Sequence, residues 1–474
     1  MRDYTRAYID GAWVKPTGGR ISDVINPATE KVAGQITLAS AADVDAAVAA
    51  AAKAFKTFSK TTREERLNLL QSILSVYGRR MDDLADALTE ELGAPKKFAK
   101  DVQAGAGYLH LQTAVAVLKD YKFEYPQGDR TIIRREPIGV VGMVTPWNWP
   151  INQIMVKVVP ALATGCTSVH KPSEIAPFSA HILAEIFHEA GVPAGVYNLV
   201  DGDGPTVGAA ISAHPGIAMV SFTGSTAAGI DVAKRAADTV KRVHQELGGK
   251  SPNIVLPDAD LAKAVTENIH RLMMNSGQTC HAPTRILIPS EKIEEAKMVA
   301  REVVTSLKIG DPKGDVDMGP VVSKRQWERV QSLIGKGIAE GAEVIGGGEG
   351  RPEGLSSGYY VRPTVFAGVR NEMAIAQEEI FGPVLCMIAY RDVDDAVAIA
   401  NDTEYGLGAY VQAGSVDEAR NVAARIEAGM VYINGAGEDP QAPFGGYKKS
   451  GNGREWGAVA FGEFLETKAL ILPT

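Results

Sequence analysis

The amino-acid sequence predicts an α/β protein of two open, mostly parallel sheets with a small β arm beside them. Two textures and the chain length carry that expectation. From about Ile138, short β-branched runs alternate with polar turns and helical patterns, the order expected of βαβ units. A second series of the same kind begins after Gly249, so the two sheets should meet near that residue. At 474 residues the chain exceeds what one ordinary core supports.

Taken in order, Ser40-Ala-Ala-Asp43 and Thr62-Arg-Glu-Glu65 each set a hydroxyl at a helix start with a carboxylate at the third helical position. Residues 40–121 therefore read as an N-terminal helical layer. Strands are expected over 139–145, 168–170, 196–200 and 219–222, then over 253–256, 285–288, 364–366, 384–390 and 430–434. Segments 118–137 and 464–474 are short, β-prone and outside both series. They suit an arm that pairs with another subunit, and equally ordinary edge strands or frayed ends.

Composition narrows the function classes. The chain is 45% hydrophobic and 22% charged, with a net charge of −8, an acidic balance that argues against a nucleic-acid partner. Its 3 cysteines, Cys166, Cys280 and Cys386, are odd in number and far apart, so a reducing compartment is expected rather than a disulfide framework. The start, Met1-Arg2-Asp3-Tyr4, has no apolar or Arg/Ser-rich leader, and no run reaches membrane-spanning length; the expectation is a cytoplasmic protein without membrane contact. The 8 histidines form no His-x-x-His or His-Glu-x-x-His spacing and the cysteines no Cys-x-x-Cys, so no metal is expected.

Two motifs point to covalent chemistry. Glu246-Leu-Gly-Gly-Lys-Ser-Pro252 holds a carboxylate in a glycine-flanked turn, and Asn275-Ser-Gly-Gln-Thr-Cys280 ends in a lone cysteine. A thiolate attacks a carbonyl carbon well, but its thioester needs activated water for release, so the pair suits a nucleophile and a base. Each alone also fits a loop charge or a small buried apolar group.

Three further motifs sit at expected strand ends. Phe222-Thr-Gly-Ser-Thr-Ala-Ala-Gly229 hands a strand to a helix, where glycine lets a phosphate approach free amides, although the Gly-x-Gly-x-x-Gly fingerprint is absent. Lys171-Pro-Ser-Glu174 could meet a ribose, and its carboxylate would repel a 2′-phosphate; a solvated loop is the alternative. Pro146-Trp-Asn-Trp-Pro150 fixes an amide donor between aromatic rings, which suits an oxyanion hole or a structural aromatic turn.

These motifs occur in order with Glu378-Glu-Ile-Phe-Gly-Pro-Val384 and Pro443-Phe-Gly-Gly-Tyr-Lys-Lys-Ser-Gly-Asn-Gly-Arg454. With them the chain resembles, over nearly its whole length, the NAD(P)-dependent aldehyde dehydrogenase superfamily, in its hydrolytic, non-acylating branch. The resemblance implies two Rossmann-like open-sheet domains. An NAD-binding domain would span 1–117 and 138–248, a catalytic domain 249–448, and an oligomerisation arm 118–137 and 464–474, in a homodimer or homotetramer.

It also implies oxidation of an aldehyde to a carboxylic acid. Cys280 would form a thiohemiacetal whose oxyanion is held by the Asn148 amide and the Cys280 N–H, and hydride transfer to the nicotinamide would leave a thioester. Glu246 would activate the hydrolytic water, with Lys157 and Glu455 as a relay behind it. For the cofactor, NAD with NADP possible, Lys171, Ser173 and Glu174 would meet the adenosine ribose, and Gly204 and Pro205 the adenine. Phe222, Gly224, Ser225 and Leu247 would surround the pyrophosphate, while Trp147, Glu379 and Phe381 would face the nicotinamide half. Substrate would pass Trp149, Asn152, Gln153, Thr279, His281, Glu438 and Phe444. Ala227 departs from the larger residue many relatives carry. Asn152, Gln153, His281 and Glu438 make the expected tunnel polar, so a small or polar-substituted aldehyde is expected; the same side chains could instead face solvent at the mouth. The alternatives are a coenzyme A-acylating dehydrogenase, disfavoured by Glu246, and a catalytically silent binding protein of the same fold.

Overall fold

The computed structural model describes residues 2–473. Five parallel strands form the heart of the first sheet: β1 (Val140–Val144), β2 (Thr167–Lys171), β3 (Tyr197–Leu199), β4 (Met219–Thr223) and β5 (Arg242–Glu246), in the spatial order β5-β4-β1-β2-β3. Every residue of β1, β2 and β4 is buried, because helices cover both faces; continuous apolar runs are the sequence signature of that environment. The strand order reverses between β1 and β4. Their carboxyl ends therefore splay the following loops apart and open a crevice there. A hairpin, Ala7–Ile9 with Ala12–Val14, closes the β3 edge, and Gly451–Asn452 pairs antiparallel with β5 at the other.

The second sheet has seven strands: β6 (Pro252–Val255), β7 (Arg285–Pro289), β8 (Glu343–Gly346), β9 (Thr364–Ala367), β10 (Val384–Tyr390), β11 (Gly408–Gln412) and β12 (Met430–Ile433). Their order is β8-β9-β10-β7-β6-β11-β12, parallel except where β8 meets β9. Leu247–Ser251 joins the two sheets and is tied down from far along the chain: Leu247 N donates to Ser450 O at 2.9 Å, and Ser450 Oγ donates to Gly248 O at 2.6 Å.

Helices Ala41–Phe58 and Arg63–Arg79 start at the two capping boxes. Asp43 Oδ2 accepts from Ser40 N at 2.8 Å, and Glu65 Oε2 from Thr62 N at 2.7 Å, satisfying amides that a helix start leaves unpaired. The strands expected from β-branched runs are all present. Missed were β5, β8 and β11, the edge hairpin Ala7–Ile9 and Ala12–Val14, the two-residue strands Tyr405–Gly406, Tyr447–Lys448 and Gly451–Asn452, and an N-terminal sheet of Arg2–Tyr4, Lys31–Leu38 and Arg20–Asn26. Arg242-Val-His-Gln-Glu246 has one apolar residue, and the partners of its central polar side chains come from elsewhere in the chain: Gln245 Nε2 donates to Gly229 O at 2.5 Å and Ser221 Oγ lies 3.3 Å from His244 Nδ1. Glu124–Gln127, Thr131–Pro137 and Leu465–Ile471 make a separate antiparallel sheet, in register from Leu465 opposite Pro137 to Ile471 opposite Thr131. Among the described residues no helix is long and apolar enough to cross a membrane.

Candidate active site

The cysteine loop sits where the two sheets face each other. After helix Leu261–Met273 the backbone takes three left-handed residues, Asn275 (φ 53°), Ser276 (φ 56°) and Gly277 (φ 74°). Two of these carry side chains, which costs about 1–3 kcal/mol each and persists only where the surroundings over-determine it. Here they do. Asn275 Nδ2 donates to Asn148 O at 2.8 Å, and its Oδ1 accepts from Gln103 Nε2 at 3.1 Å. Ser276 Oγ donates to Gly319 O at 2.9 Å, and Gln278 Oε1 accepts from Val322 N at 2.9 Å. Gly277 lies so close to the Gly382 carbonyl that a Cβ would overlap it.

The aromatic turn after β1 clasps this loop from the first sheet. Asn148 is 3% exposed and its Nδ2 donates to Gln278 O at 3.1 Å, one of the two N–H bonds the amide can make. Trp149 Nε1 donates to Thr279 Oγ1 at 3.0 Å, and the Trp147 ring meets Phe381 edge-on at 5.4 Å. From the other side, a Cβ at Gly249 would overlap the Cys280 carbonyl, so the Glu246 turn packs directly on the cysteine's backbone. Burial, reinforced by the charges of Glu379 and Glu246, pushes the Cys280 thiol above its ordinary range. It rests as a thiol.

Glu246 ends β5 with 2% exposure, and neither carboxylate oxygen has a hydrogen-bond partner. Burial holds its carboxyl well above the usual range and the charge of Glu455 adds to this, against Lys157 and Arg454. Lys157 and Glu455, 0% and 3% exposed, pair with each other although 298 positions separate them. His244, two residues earlier on the same face of β5, puts Nε2 3.6 Å from Glu246 Oε1; burial and the charges of Lys157 and Arg454 keep it neutral. Arg454 donates to Gly446 O at 3.1 Å and Gly453 O at 2.6 Å, holding the 443–455 segment round the carboxylate. Neither His244 nor Arg454 was singled out from sequence. His244 lies in a strand too polar to recognise, and Arg454 only closed a motif.

The residues expected to meet a cofactor follow the carboxyl ends of β1, β2, β3, β4 and β5, with Glu379 and Phe381 added from the segment before β10. Lys171 closes β2 and its Nζ reaches Glu174 Oε2 at 3.2 Å; Ser173 Oγ accepts from Ile175 N at 3.3 Å. Across the crevice, Ser225 Oγ accepts from Ala228 N at 3.3 Å and caps helix Thr226–Ala236, whose first amides face outward beside Gly224. The Phe222 ring lies 2.6 Å from where a Gly224 Cβ would stand, so a larger residue there would have to displace the ring. Leu247 packs under the same helix against Gly229. Gly204 and Pro205 open a short helical turn capped by Asp203, whose Oδ1 accepts from Thr206 N at 2.8 Å. Glu379 Oε1 accepts from Gly249 N at 3.0 Å, and burial lifts its carboxyl to about 7. A helix start free to meet phosphate, a buried carboxylate beside the cysteine turn and an aromatic pair form a cradle whose chemistry fits a dinucleotide.

The expected substrate residues divide. His281, Glu438 and Phe444 cluster beside Cys280: His281 Nε2 is 3.0 Å from Glu438 Oε1, and the Phe444 ring meets the imidazole edge-on at 5.6 Å. Asn152 Oδ1 is 2.8 Å from His110 Nε2, and the His110 ring lies 5.0 Å from Trp456, which stacks on Phe444 at 4.6 Å. Gln153 stands apart; it is 4% exposed, its Oε1 has no partner, and it makes no side-chain hydrogen bond to this group. Arg271, Tyr410 and Tyr432, which complete the polar wall, gave no motif in the sequence because they come from separate elements.

Residues 13–470 match the model of the aldehyde dehydrogenase family. A 3-succinoylsemialdehyde-pyridine dehydrogenase from a Pseudomonas species is 54% identical over 473 residues, covering 99% of each chain. Among solved structures, a mutant of aldehyde dehydrogenase C from Pseudomonas syringae, in complex with NAD+ and octanal, superposes with a TM-score of 0.98 at 50% identity, covering 98% of this chain and 96% of that one. An NAD+ complex of a Mycobacterium tuberculosis aldehyde dehydrogenase gives 0.97 at 40% identity, covering 99% and 98%.

Proposed function

The chain belongs to the aldehyde dehydrogenase family, and from that premise we propose how its residues divide the work of NAD-dependent aldehyde oxidation. Cys280 attacks the aldehyde carbon, and the free N–H of Asn148 with the Cys280 amide stabilises the oxyanion. NAD bound in the crevice supplies the hydride acceptor. Glu246 then takes a proton from the water that cleaves the thioester, and the Lys157–Glu455 pair sets the charge behind it. One observation carries this reading: a buried carboxylate with both oxygens unbonded stands in the turn that packs on the cysteine. Removing the nucleophile tests it. Cys280→Ala should fold normally and yield no NADH with any aldehyde; undiminished NADH production would overturn the assignment.

Glu174 supports NAD over NADP by repelling a 2′-phosphate, and the exposed tip of the Leu465–Ile471 strand, with Ile471 75% exposed, supports assembly of a homodimer or dimer of dimers through the arm. A cytoplasmic location fits the cysteine usage. The wall of His281, Glu438, Tyr432 and Asn152 favours an aldehyde with a polar group at its far end, because desolvating that wall penalises a bare alkyl chain. The semialdehyde in the name of the 54% identical relative is of this kind, whereas the P. syringae structure holds octanal. A kinetic panel with NAD decides between them: polar-substituted short aldehydes should exceed octanal in kcat/KM, and the reverse order would overturn the substrate reading.

A further inference from the structure

Cys280 rests as a thiol, so its attack on an aldehyde needs a base within reach of Sγ. The His281 Nδ1 atom lies 3.8 Å from Sγ, within the range of a hydrogen bond to sulfur. Its other nitrogen, Nε2, lies 3.0 Å from Glu438 Oε1. A carboxylate can only accept, so Nε2 carries the hydrogen and Nδ1 presents a bare lone pair to the thiol. Glu246, by contrast, makes no hydrogen bond to the sulfur.

The surroundings hold this arrangement in place. Tyr410 OH donates to His281 O at 2.9 Å, and the Tyr432 ring stacks on the imidazole at 6.0 Å. Tyr432 OH donates to Glu438 Oε2 at 2.5 Å, and Arg271 Nη1 stands 4.0 Å from Oε1. The Arg271 guanidinium is fixed over the Tyr410 and Tyr432 rings at 5.1 and 5.2 Å. Burial works against the Glu438 charge, yet His281, Tyr432 and Arg271 together bring its carboxyl down to about 2, so it is ionised when it faces an imidazolium. Beyond Glu438, His110 is pushed down to about 4 by burial and stays neutral. The charges of Glu379 and Glu246 both raise the thiol.

We propose that His281, oriented by Glu438, is the base that takes the Sγ proton as Cys280 attacks, leaving Glu246 to deacylation. The proposal rests on Cys280 being the nucleophile. As the S–C bond forms, the proton moves from Sγ to Nδ1 and the carbonyl electron pair becomes the oxyanion. Hydride loss to NAD restores the carbonyl as a thioester. When water displaces the sulfur, Glu246 takes the water's proton and the departing thiolate recovers its own from His281, so the imidazole is neutral again after each turnover. The arrangement repeats the logic of a nucleophile, an imidazole and an orienting carboxylate.

The test uses the full-length enzyme with His281→Gln, Glu438→Gln, Cys280→Ala and the parent. Rapid mixing with NAD and aldehyde reads the NADH burst, and iodoacetamide labelling of Cys280, followed by peptide mass spectrometry, reads thiolate formation against pH. His281→Gln should slow the burst about tenfold or more and move the labelling profile to higher pH by about one unit. Glu438→Gln, which leaves the cysteine loop untouched, should move the profile the same way by less. Burst rates and profiles that overlay the parent in both variants would overturn the relay, as would a loss of burst amplitude with an unmoved profile, the mark of a structural role. NADH production by Cys280→Ala would remove the premise instead, a failure the other variants cannot imitate.

Discussion

Replacing Glu246 with Gln separates the two halves of the reaction. The amide has nearly the same shape, and neither oxygen of the native carboxylate holds a hydrogen bond that the change would break, so the fold should survive. What disappears is the carboxylate base, and neither neighbouring carboxylate is placed to replace it. Glu455 is paired with Lys157, and Glu379 is held by the Gly249 amide at 3.0 Å. The loss should therefore fall at the upper end of what a general base supplies, about 10³–10⁴-fold in kcat, or roughly 4–5 kcal/mol of barrier. Rapid mixing of the variant with NAD and aldehyde should show a burst of NADH equal to the sites present, then near arrest. The parent should also lose kcat on the acid side. Burial holds the Glu246 carboxyl protonated to an unusually high pH, so turnover falls as pH drops through that raised value, above the ordinary carboxylate range, and the limb should vanish in the variant. A steady-state rate within about threefold of the parent, or a missing burst, would refute the reasoning; the second result would move Glu246 into the acylation step.

The other predictions concern the surroundings of this pair. Lys157→Met should leave the Glu455 carboxylate buried at 3% exposure without a counter-charge, costing about 3–5 kcal/mol in urea unfolding, whereas an unchanged midpoint would show that water reaches the pair. Gly277→Ala should drive a Cβ into the Gly382 carbonyl at a backbone of φ 74°; because backbone cannot yield there, the cysteine shifts and kcat should fall about a hundredfold or more, and a fully active, stable variant would contradict the packing. Glu174→Ala should raise kcat/KM for NADP about tenfold while changing that for NAD little, since the side chain is partly exposed and its repulsion of a 2′-phosphate is screened. An unaltered NADP to NAD ratio would show that Glu174 does not face the ribose.

The parts of the fold that were legible in the sequence are those whose burial needs continuous apolar runs. The strands β1, β2, β4 and β10 and the capped helices at Ser40 and Thr62 follow from local pattern alone. Strand β5 did not, because it carries one apolar residue and the partners of its His244 and Gln245 side chains, Ser221 and Gly229, come from elsewhere in the chain. The N-terminal sheet escaped for a different reason: Arg2–Tyr4 has three residues, Arg20–Asn26 has one buried residue, and Lys31–Leu38, although largely buried, is interrupted by Gly34 and Gln35, so none shows a clear period-two alternation. At the site, the motif residues could be named, but the cluster of Arg271, Tyr410, Tyr432 and Glu438 could not be assembled, since each comes from a different element.

By itself the sequence determined the chemistry on offer: a cysteine in a loop rich in hydrogen-bonding side chains, a carboxylate in a glycine turn, and strand ends suited to phosphate. Such features are local, set by which side chain a short segment carries and which backbone shapes it tolerates. Tertiary structure decided what those groups are. Glu246 is an unbonded, buried carboxylate because Lys157, from an early helix, meets Glu455, 298 positions later, beside it rather than Glu246 itself. Cys280 faces an imidazole with a defined tautomer because Glu438 comes from a distant loop. Protonation and tautomer depend on burial and on the charges a few ångströms away, and only the folded chain specifies those distances.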